Sequence, residues 1–379
     1  MKVVIAPDSF KGSMTAAQVC AAVSAGVRKA SPDAEIISVP MADGGEGTVQ
    51  SLIDGLGGSF ISSEADDPLG RPHDAIYGLT SDGTAVIEMA QASGLTLLEE
   101  SERDPLLAST YGTGQLIKDA LDHGAREFIL GIGGSATNDG GAGMAQALGY
   151  RLIGNDGADL PRGGGALIHL ARIDASFADT RLAESRFTVA CDVCNTLTGE
   201  QGASAVFGPQ KGASSSMIEL LDKALMRFAG CVYRDLGKDV SDIPGAGAAG
   251  GMGAGCAAFL GARLQRGVDI VIDATGLAEK LDAATLVITG EGRTDRQSLS
   301  GKTVYGIAAL ANKLGVPVML ISGSLAPDAE DLIELGIWNM YSLIDESVSL
   351  EEAMREGEAL LEKRAESAML EFLKNEGRV

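Results

Sequence analysis

Five times along the chain a glycine-bearing loop, in four cases carrying carboxylates, follows a short apolar run or leads into a helix signal. The loops are 6–13 (APDSFKGS), 42–48 (ADGGEGT), 131–143 (GIGGSATNDGGAG), 244–255 (PGAGAAGGMGAG) and 290–295 (GEGRTD). A repeated strand–loop–helix pattern admits few folds, because parallel strands must be joined by helical crossovers. In open α/β sheets the loops at the carboxyl ends of the strands are where ligands sit. The pattern therefore constrains both the architecture and the position of the site.

The two chain ends read as matching βα units. Lys2–Ala6 is a β-branched run, and Thr15 with Gln18 has capping-box form before Val19, Val23 and Val27 at i+4 spacing. That helix ends before Pro32, and a strand over Glu35–Pro40 and a helix over Gly47–Leu56 follow. From Thr285 the alternation is clean again: strand Leu286–Thr289, helix Lys302–Lys313, strand Val316–Ser322, helix Asp328–Leu335, strand Met340–Ile344, then a helix capped at Ser349. The pattern changes near Pro68, with a hairpin turning at Asp82-Gly83, helix–strand–helix over 112–149, and an amphipathic helix through Met217–Phe228. These readings predict two α/β domains. A doubly wound, Rossmann-like domain is built from residues 1–68 and 285–379, and a second α/β domain over 69–284 is inserted in it, with the active site in the cleft between them.

The net charge of −22 argues against nucleic acid and anionic membranes as partners, since both require a basic surface. It leaves room for small anions held by local cations and backbone N–H groups. The N-terminal apolar run, Val3–Ala6, is too short for a signal peptide or a membrane span, and the odd count of five cysteines fits a reduced, cytoplasmic setting. Cys191 and Cys194 form a lone C-x-x-C with no second pair, so it reads as incidental. With three scattered histidines (His73, His123 and His169), a histidine triad or zinc centre is disfavoured.

Several motif matches compete. Gly131-x-Gly133-x-x-Ala136 follows a strand and fits the dinucleotide fingerprint, with Asp156 at a suitable distance, which makes an NAD-dependent dehydrogenase a candidate. Against it, Asn138-Asp139-Gly140-Gly141 inserts turn formers where the helix should begin. Gly245-x-Gly247-x-x-Gly250 matches too but lacks a preceding strand, and reads as close-packing or helix-entry glycine. Ser300-Gly301-Lys302-Thr303 resembles the end of a P-loop, but Arg296 stands where the motif needs glycine. Gly133-Gly134-Ser135-Ala136-Thr137 misses the nucleophile elbow at its last position. Phosphoryl transfer fits better, because it asks for positioning and charge neutralisation rather than covalent work by the protein. The loops supply acids (Asp8, Asp43, Glu46, Asp139, Asp192, Glu291, Asp295) and bases (Lys11, Lys211, Arg293, Lys302), without deciding which acid does which job.

Taken in order, the stretches 6–16, 42–48, 131–143, 190–195, 207–213, 244–254 and 288–295 resemble the bacterial glycerate kinase family along the whole chain. The resemblance implies a two-domain α/β fold and ATP- and Mg²⁺-dependent phosphorylation of D-glycerate, with 2-phosphoglycerate the favoured product. It implies Asp8, Ser9 and Lys11 at the floor of the site, facing Glu291, Arg293 and Asp295, with Arg293 or Lys11 on the glycerate carboxylate. Asp43 and Glu46 are further substrate-side candidates, each with a helix-dipole alternative. Gly133, Gly134, Ser135, Thr137, Lys211 and Lys302 are the nucleotide-binding candidates. Asp192 and Asp139 are the metal candidates, and Asp192 is the favoured base. For Asp139 a helix-capping role is the competing reading. Which hydroxyl is phosphorylated, and whether the protein is a monomer or a homodimer, stay open. A non-catalytic binder of small acids is the remaining alternative.

Overall fold

The structure is a computed structural model that describes residues 1–377 apart from Glu46, 297–301 and Glu346 and the side chains of Glu330 and Asp331. Its strands are β1 (Lys2–Ile5), β2 (Glu35–Ser38), β3 (Gly58–Asp66), β4 (Pro72–Thr80), β5 (Thr84–Glu88), β6 (Glu127–Gly131), β7 (Arg151–Gly154), β8 (Leu170–Asp174), β9 (Arg186–Ala190), β10 (Arg263–Gln265), β11 (Leu286–Thr289), β12 (Arg293–Thr294), β13 (Val318–Ser322), β14 (Ser324–Leu325) and β15 (Ile337–Ser342). The chain divides into two α/β units. One comprises Met1–Asp43, Gln50–Gly57 and Arg266–Val379, and the other Gly44–Val49 and Gly58–Gln265.

The divide differs from the 68/69 and 284/285 boundaries expected from sequence. β3 pairs with β4 along its whole length, from Gly58↔Thr80 to Asp66↔Pro72, which ties it to the inserted unit. It is an edge strand exposed along most of its length, so its apolar alternation is weak and the sequence did not announce it. The helix Gly267–Thr275 belongs to the first unit, where Val268 Cγ2 lies 2.6 Å from the point at which Gly306 would carry a Cβ.

The first unit is built around a five-stranded parallel sheet in the order β15-β13-β11-β1-β2. The chain runs from β1 to its neighbour β2 and later returns as β11 on the other side of β1, so the winding reverses between β1 and β11. Alternation sends Val3, Ile5, Leu286 and Ile288 to one face, where they pack with Val19, Val23 and Val27 of the helix Ala16–Ala30 and with Leu361 and Phe372 of the helix Gly357–Asn375. Val4 and Val287 are buried on the opposite face, and the helix Thr303–Leu314 packs against the sheet with Val304 and Ile307 buried. Thr15 forms the anticipated capping box with Gln18. The helix expected at Asp328–Leu335 is a 3₁₀ segment over Pro327–Leu335.

The second unit holds a six-stranded sheet, β10-β9-β6-β5-β4-β3, parallel from β5 to β10 and antiparallel at the β3–β4–β5 side. The Asp82-Gly83 turn joins β4 to β5 as expected. Phe128 and Phe187 stack at 4.5 Å between neighbouring strands β6 and β9. β7 and β8 form a separate antiparallel pair. Among the described residues no helix is long and apolar enough to cross a membrane.

The seam between the first and last long helices leaves no room at Gly26, where an added Cβ would lie 2.3 Å from the Glu362 carbonyl oxygen. Backbone cannot yield as a side-chain tip can, so Gly26→Val should cost about 2–4 kcal/mol by overpacking. Urea unfolding of the two proteins measures this, and equal midpoints would contradict the close seam.

Candidate active site

In the first unit the loops after β1 and β11 lie on either side of the winding reversal, the position at which open α/β sheets bind ligands. The loops are stitched together by backbone bonds, Ala6 N to the Ile288 carbonyl and Asp8 N to the Gly290 carbonyl, each 2.8 Å. The Asp8 carboxylate is the best-defined group here. Oδ1 accepts from Ser9 N at 2.6 Å and from Ser9 Oγ at 3.3 Å, and Oδ2 accepts from Thr303 Oγ1 at 2.6 Å. Burial pushes its pKa up to about 6, and the Asp43 charge adds to the rise, while the Thr303 and Ser9 donors oppose it.

The other substrate-side candidates occupy the same loops. Glu291 Oε1 accepts from Thr294 Oγ1 at 3.1 Å, and Thr294 in turn bonds Ser322 at 2.7 Å. Arg293 is 71% exposed in its side chain and stands 3.7 Å from Asp295. Lys11 is exposed, Asp43 is half-buried after β2, and Lys302 caps the helix Thr303–Leu314. Glu46 lies outside the described residues. Thr303, in the Ser300–Thr303 stretch, carries no local signal of its bond to Asp8 in the sequence.

In the second unit the loop 131–143 leaves β6 at a parallel position in the sheet. Gly133 and Gly134 are exposed at its crest. The following residues are pinned. Leu95 N donates to the Gly134 carbonyl at 2.8 Å and Ala136 N to the Ser93 carbonyl at 2.9 Å. Asp139 is buried, and its carboxylate accepts four hydrogen bonds: from Thr110 N and Oγ1, both 2.9 Å, and from Gly141 N and Gly143 N, both 3.1 Å. Burial raises its pKa against these donors. Of the two roles weighed for Asp139, the geometry is that of the cap: its oxygens serve the start of the helix Ala142–Ala147 and the Thr110 end of the helix Tyr111–Asp122.

Lys211 is 1% exposed, so it does not reach out to a nucleotide as its sequence position suggested. Its Nζ donates to Ser135 Oγ at 2.8 Å and to the Thr137 carbonyl at 2.6 Å. Desolvation pushes its pKa down to about 7, with the Asp139 charge acting in the other direction. The loop's far side is lined by the segment 248–255. Gly140 N donates to the Gly250 carbonyl at 3.0 Å, and a Cβ on Gly250 would lie 2.0 Å from the Thr137 carbonyl oxygen. Ala249, Gly250 and Gly251 adopt left-handed backbone there, so these glycines serve close packing rather than a dinucleotide. Asp192 is exposed in the loop that follows β9.

Two features remove the dinucleotide reading. After β6 the helix begins only at Ala142, beyond the fingerprint. The next strand, β7, pairs antiparallel with β8 instead of extending the parallel sheet, so Asp156 has no ribose to meet.

The glycerate kinase family model matches residues 3–373. The chain belongs to the glycerate kinase family. It is similar to the glycerate kinase of Halalkalibacterium halodurans, 54% identical over 96% of each chain. It is 50% identical to the glycerate 2-kinase of Escherichia coli over 94% of this chain and 93% of that one. A crystal structure from Salmonella typhimurium LT2, of a protein assigned as glycerate kinase 2, superposes with a TM-score of 0.92 at 48% identity and covers both chains in full. The chain is an enzyme, an ATP-dependent kinase of glycerate. Neither a dehydrogenase nor a non-catalytic binder finds support in these matches.

The Asp139 arrangement makes a direct prediction. Asp139→Ala should strip acceptors from three backbone N–H groups and the Thr110 hydroxyl, and should destabilise the second unit by about 3–5 kcal/mol. Thermal unfolding followed by circular dichroism measures the loss; a wild-type melting temperature would refute the bracing role.

Proposed function

We propose that the enzyme transfers the γ-phosphoryl group of ATP to the 2-hydroxyl of D-glycerate, with Asp8 as the proton acceptor. The observation that carries this assignment is the Asp8 environment: a carboxylate at the winding reversal, oriented on both oxygens, with a pKa near 6. A base of that strength is ionised at neutral pH yet basic enough to take a hydroxyl proton in the transition state. Asp192, the base favoured from sequence, is exposed in the loop that follows β9.

Arg293, with its planar fork, suits the glycerate carboxylate, with Lys11 as a second cation on the same loops. Ser9 fixes Asp8, and Asp43, Glu291 and Asp295 bound the acceptor side. Gly133, Gly134 and Ser135 receive the nucleotide phosphates, Thr137 is fully buried and serves the loop through its carbonyl bond to Lys211, and Lys302 adds positive charge at its helix start. Among the described residues no group of three or more metal-ligating side chains stands together. Mg²⁺ fits nonetheless, since it is commonly held by one or two carboxylates plus the substrate phosphates. Asp192 is the carboxylate we assign to it. When bound, Mg²⁺ neutralises developing phosphate charge. The four donors on Asp139 favour a capping role for it over a metal-binding one. The five cysteines are free, which suits a reducing, cytoplasmic compartment.

Incubation with ATP, Mg²⁺ and D-glycerate, with phosphorus and carbon NMR of the product, tests the reading. 2-Phosphoglycerate is expected, and 3-phosphoglycerate or no turnover would overturn it. kcat/KM should fall about tenfold per pH unit below pH 6 as Asp8 takes up its proton, and Asp8→Asn should lower kcat at least about a hundredfold.

The same shift has a stability signature. The Asp8 pKa is raised from 3.8 to about 6 in the fold, so the native state holds an extra proton between those values. Stability then falls as pH rises through that window, and the cost is complete above it. Asp8→Asn should therefore be more stable than wild type at pH 8, by at most about 3 kcal/mol, and indistinguishable from it near pH 4. Denaturant melts at the two pH values read this directly.

A further inference from the structure

The geometry points to Lys211 as a positioning residue that works through Ser135, turning the serine hydroxyl into a dedicated hydrogen-bond donor for a nucleotide phosphate oxygen. This rests on the reading that the loop 131–143 receives the phosphates of ATP.

Burial lowers the Lys211 pKa to about 7, and in the protonated form that dominates below that pH its ammonium group has three donors and no acceptor. With Nζ donating to Ser135 Oγ at 2.8 Å, the serine oxygen is the acceptor of that bond, and its own proton cannot point back at Nζ. The second bond, to the Thr137 carbonyl at 2.6 Å, fixes the lysine in place and holds the loop backbone two residues further on. Lys211 is itself sealed from solvent, whereas Ser135 keeps a little exposure, 7% against 1%. Of the pair, Ser135 is the one nearer the surface, so a phosphate contact falls to the serine and not to the lysine. The cation acts one bond removed: it polarises the hydroxyl and sets the direction of its proton. Ser135 is held from the other side too, because Gly94 bridges to it as a short antiparallel pair and the flanking residues bond Ser93 and Leu95. The buried charge of Lys211 is answered by Asp139, which is anchored by the start of two helices rather than by a ligand.

The test is a double-mutant cycle on the full enzyme with Ser135→Ala, Lys211→Met and the pair, varying ATP and D-glycerate separately. Each single change should raise KM for ATP about tenfold or more, leave KM for glycerate within about twofold, and combine so that the double variant is no worse than the poorer single. A lysine that merely fills the core would give additive losses, or would leave Ser135→Ala with the wild-type KM for ATP; either result overturns the inference. Ser135→Ala retains the buried lysine, so it decides the matter even if Lys211→Met does not fold. Equilibrium titration with ATP alone separates the two layers. Failure of glycerate turnover in the wild type counts against the proposed function, whereas equal ATP affinity of wild type and Ser135→Ala counts against the role of Lys211.

Discussion

A carboxylate removed from water has to be answered by donors, and the inserted unit is organised around that demand at Asp139. Its two oxygens collect the N–H of Thr110, the hydroxyl of Thr110, and the N–H groups of Gly141 and Gly143. Two of those donors lie in the glycine loop or at the start of the helix that follows it, and the other two belong to the residue that opens a helix distant in sequence. The Thr110 hydroxyl also accepts from Met144 N at 2.9 Å, so the two helix starts are joined twice. Buried ionic groups cost desolvation and rarely add net stability over an apolar core, but they are unforgiving about geometry. The loop is braced at both helix starts, and a buried lysine is placed against it.

The first unit meets a different demand. Its sheet reverses winding between β1 and β11, and the two loops left at that point cannot be covered by a crossover helix. Asp8 fills the position. Partial burial raises its basicity, the nearby Asp43 charge raises it further, and Thr303 and Ser9 keep the carboxylate oriented. Burial raises the pKa of both acids, but Asp139 commits its oxygens to two helix starts, whereas Asp8 stands at the winding reversal with fewer donors.

Much of this was legible in the sequence because short-range signals carry it. The Thr15–Gln18 capping box, the Asp82-Gly83 turn and the βα alternation at both ends each depend on residues a few positions apart. So does the break at Asn138–Gly141, which tells against a dinucleotide site. What was missed depends on partners far along the chain. β3 hides its identity because an exposed edge strand needs little apolar alternation. For Asp139 the sequence leaves metal ligand and helix cap both open, because its partner Thr110 lies 29 residues away. Lys211 reads as a phosphate contact because it is a cation in a glycine-bearing loop, and only the fold buries it. Thr303 gains its role from Asp8, at a separation of 295 residues.

These particulars bear on how a strongly acidic protein can hold a polyanion. With a net charge of −22, a nucleotide approaching from solution meets net repulsion, and exposed lysines scattered over the surface would be screened and weakly oriented. A buried cation whose charge is already answered adds nothing to that long-range field. It can still set the direction of a neighbouring hydroxyl, and hydroxyl and backbone donors fixed in a loop attract an anion only at contact range. On this arrangement selectivity for phosphate comes from geometry at close approach rather than from electrostatic steering. The binding step should then depend less on ionic strength than in enzymes that present a basic surface to their nucleotide.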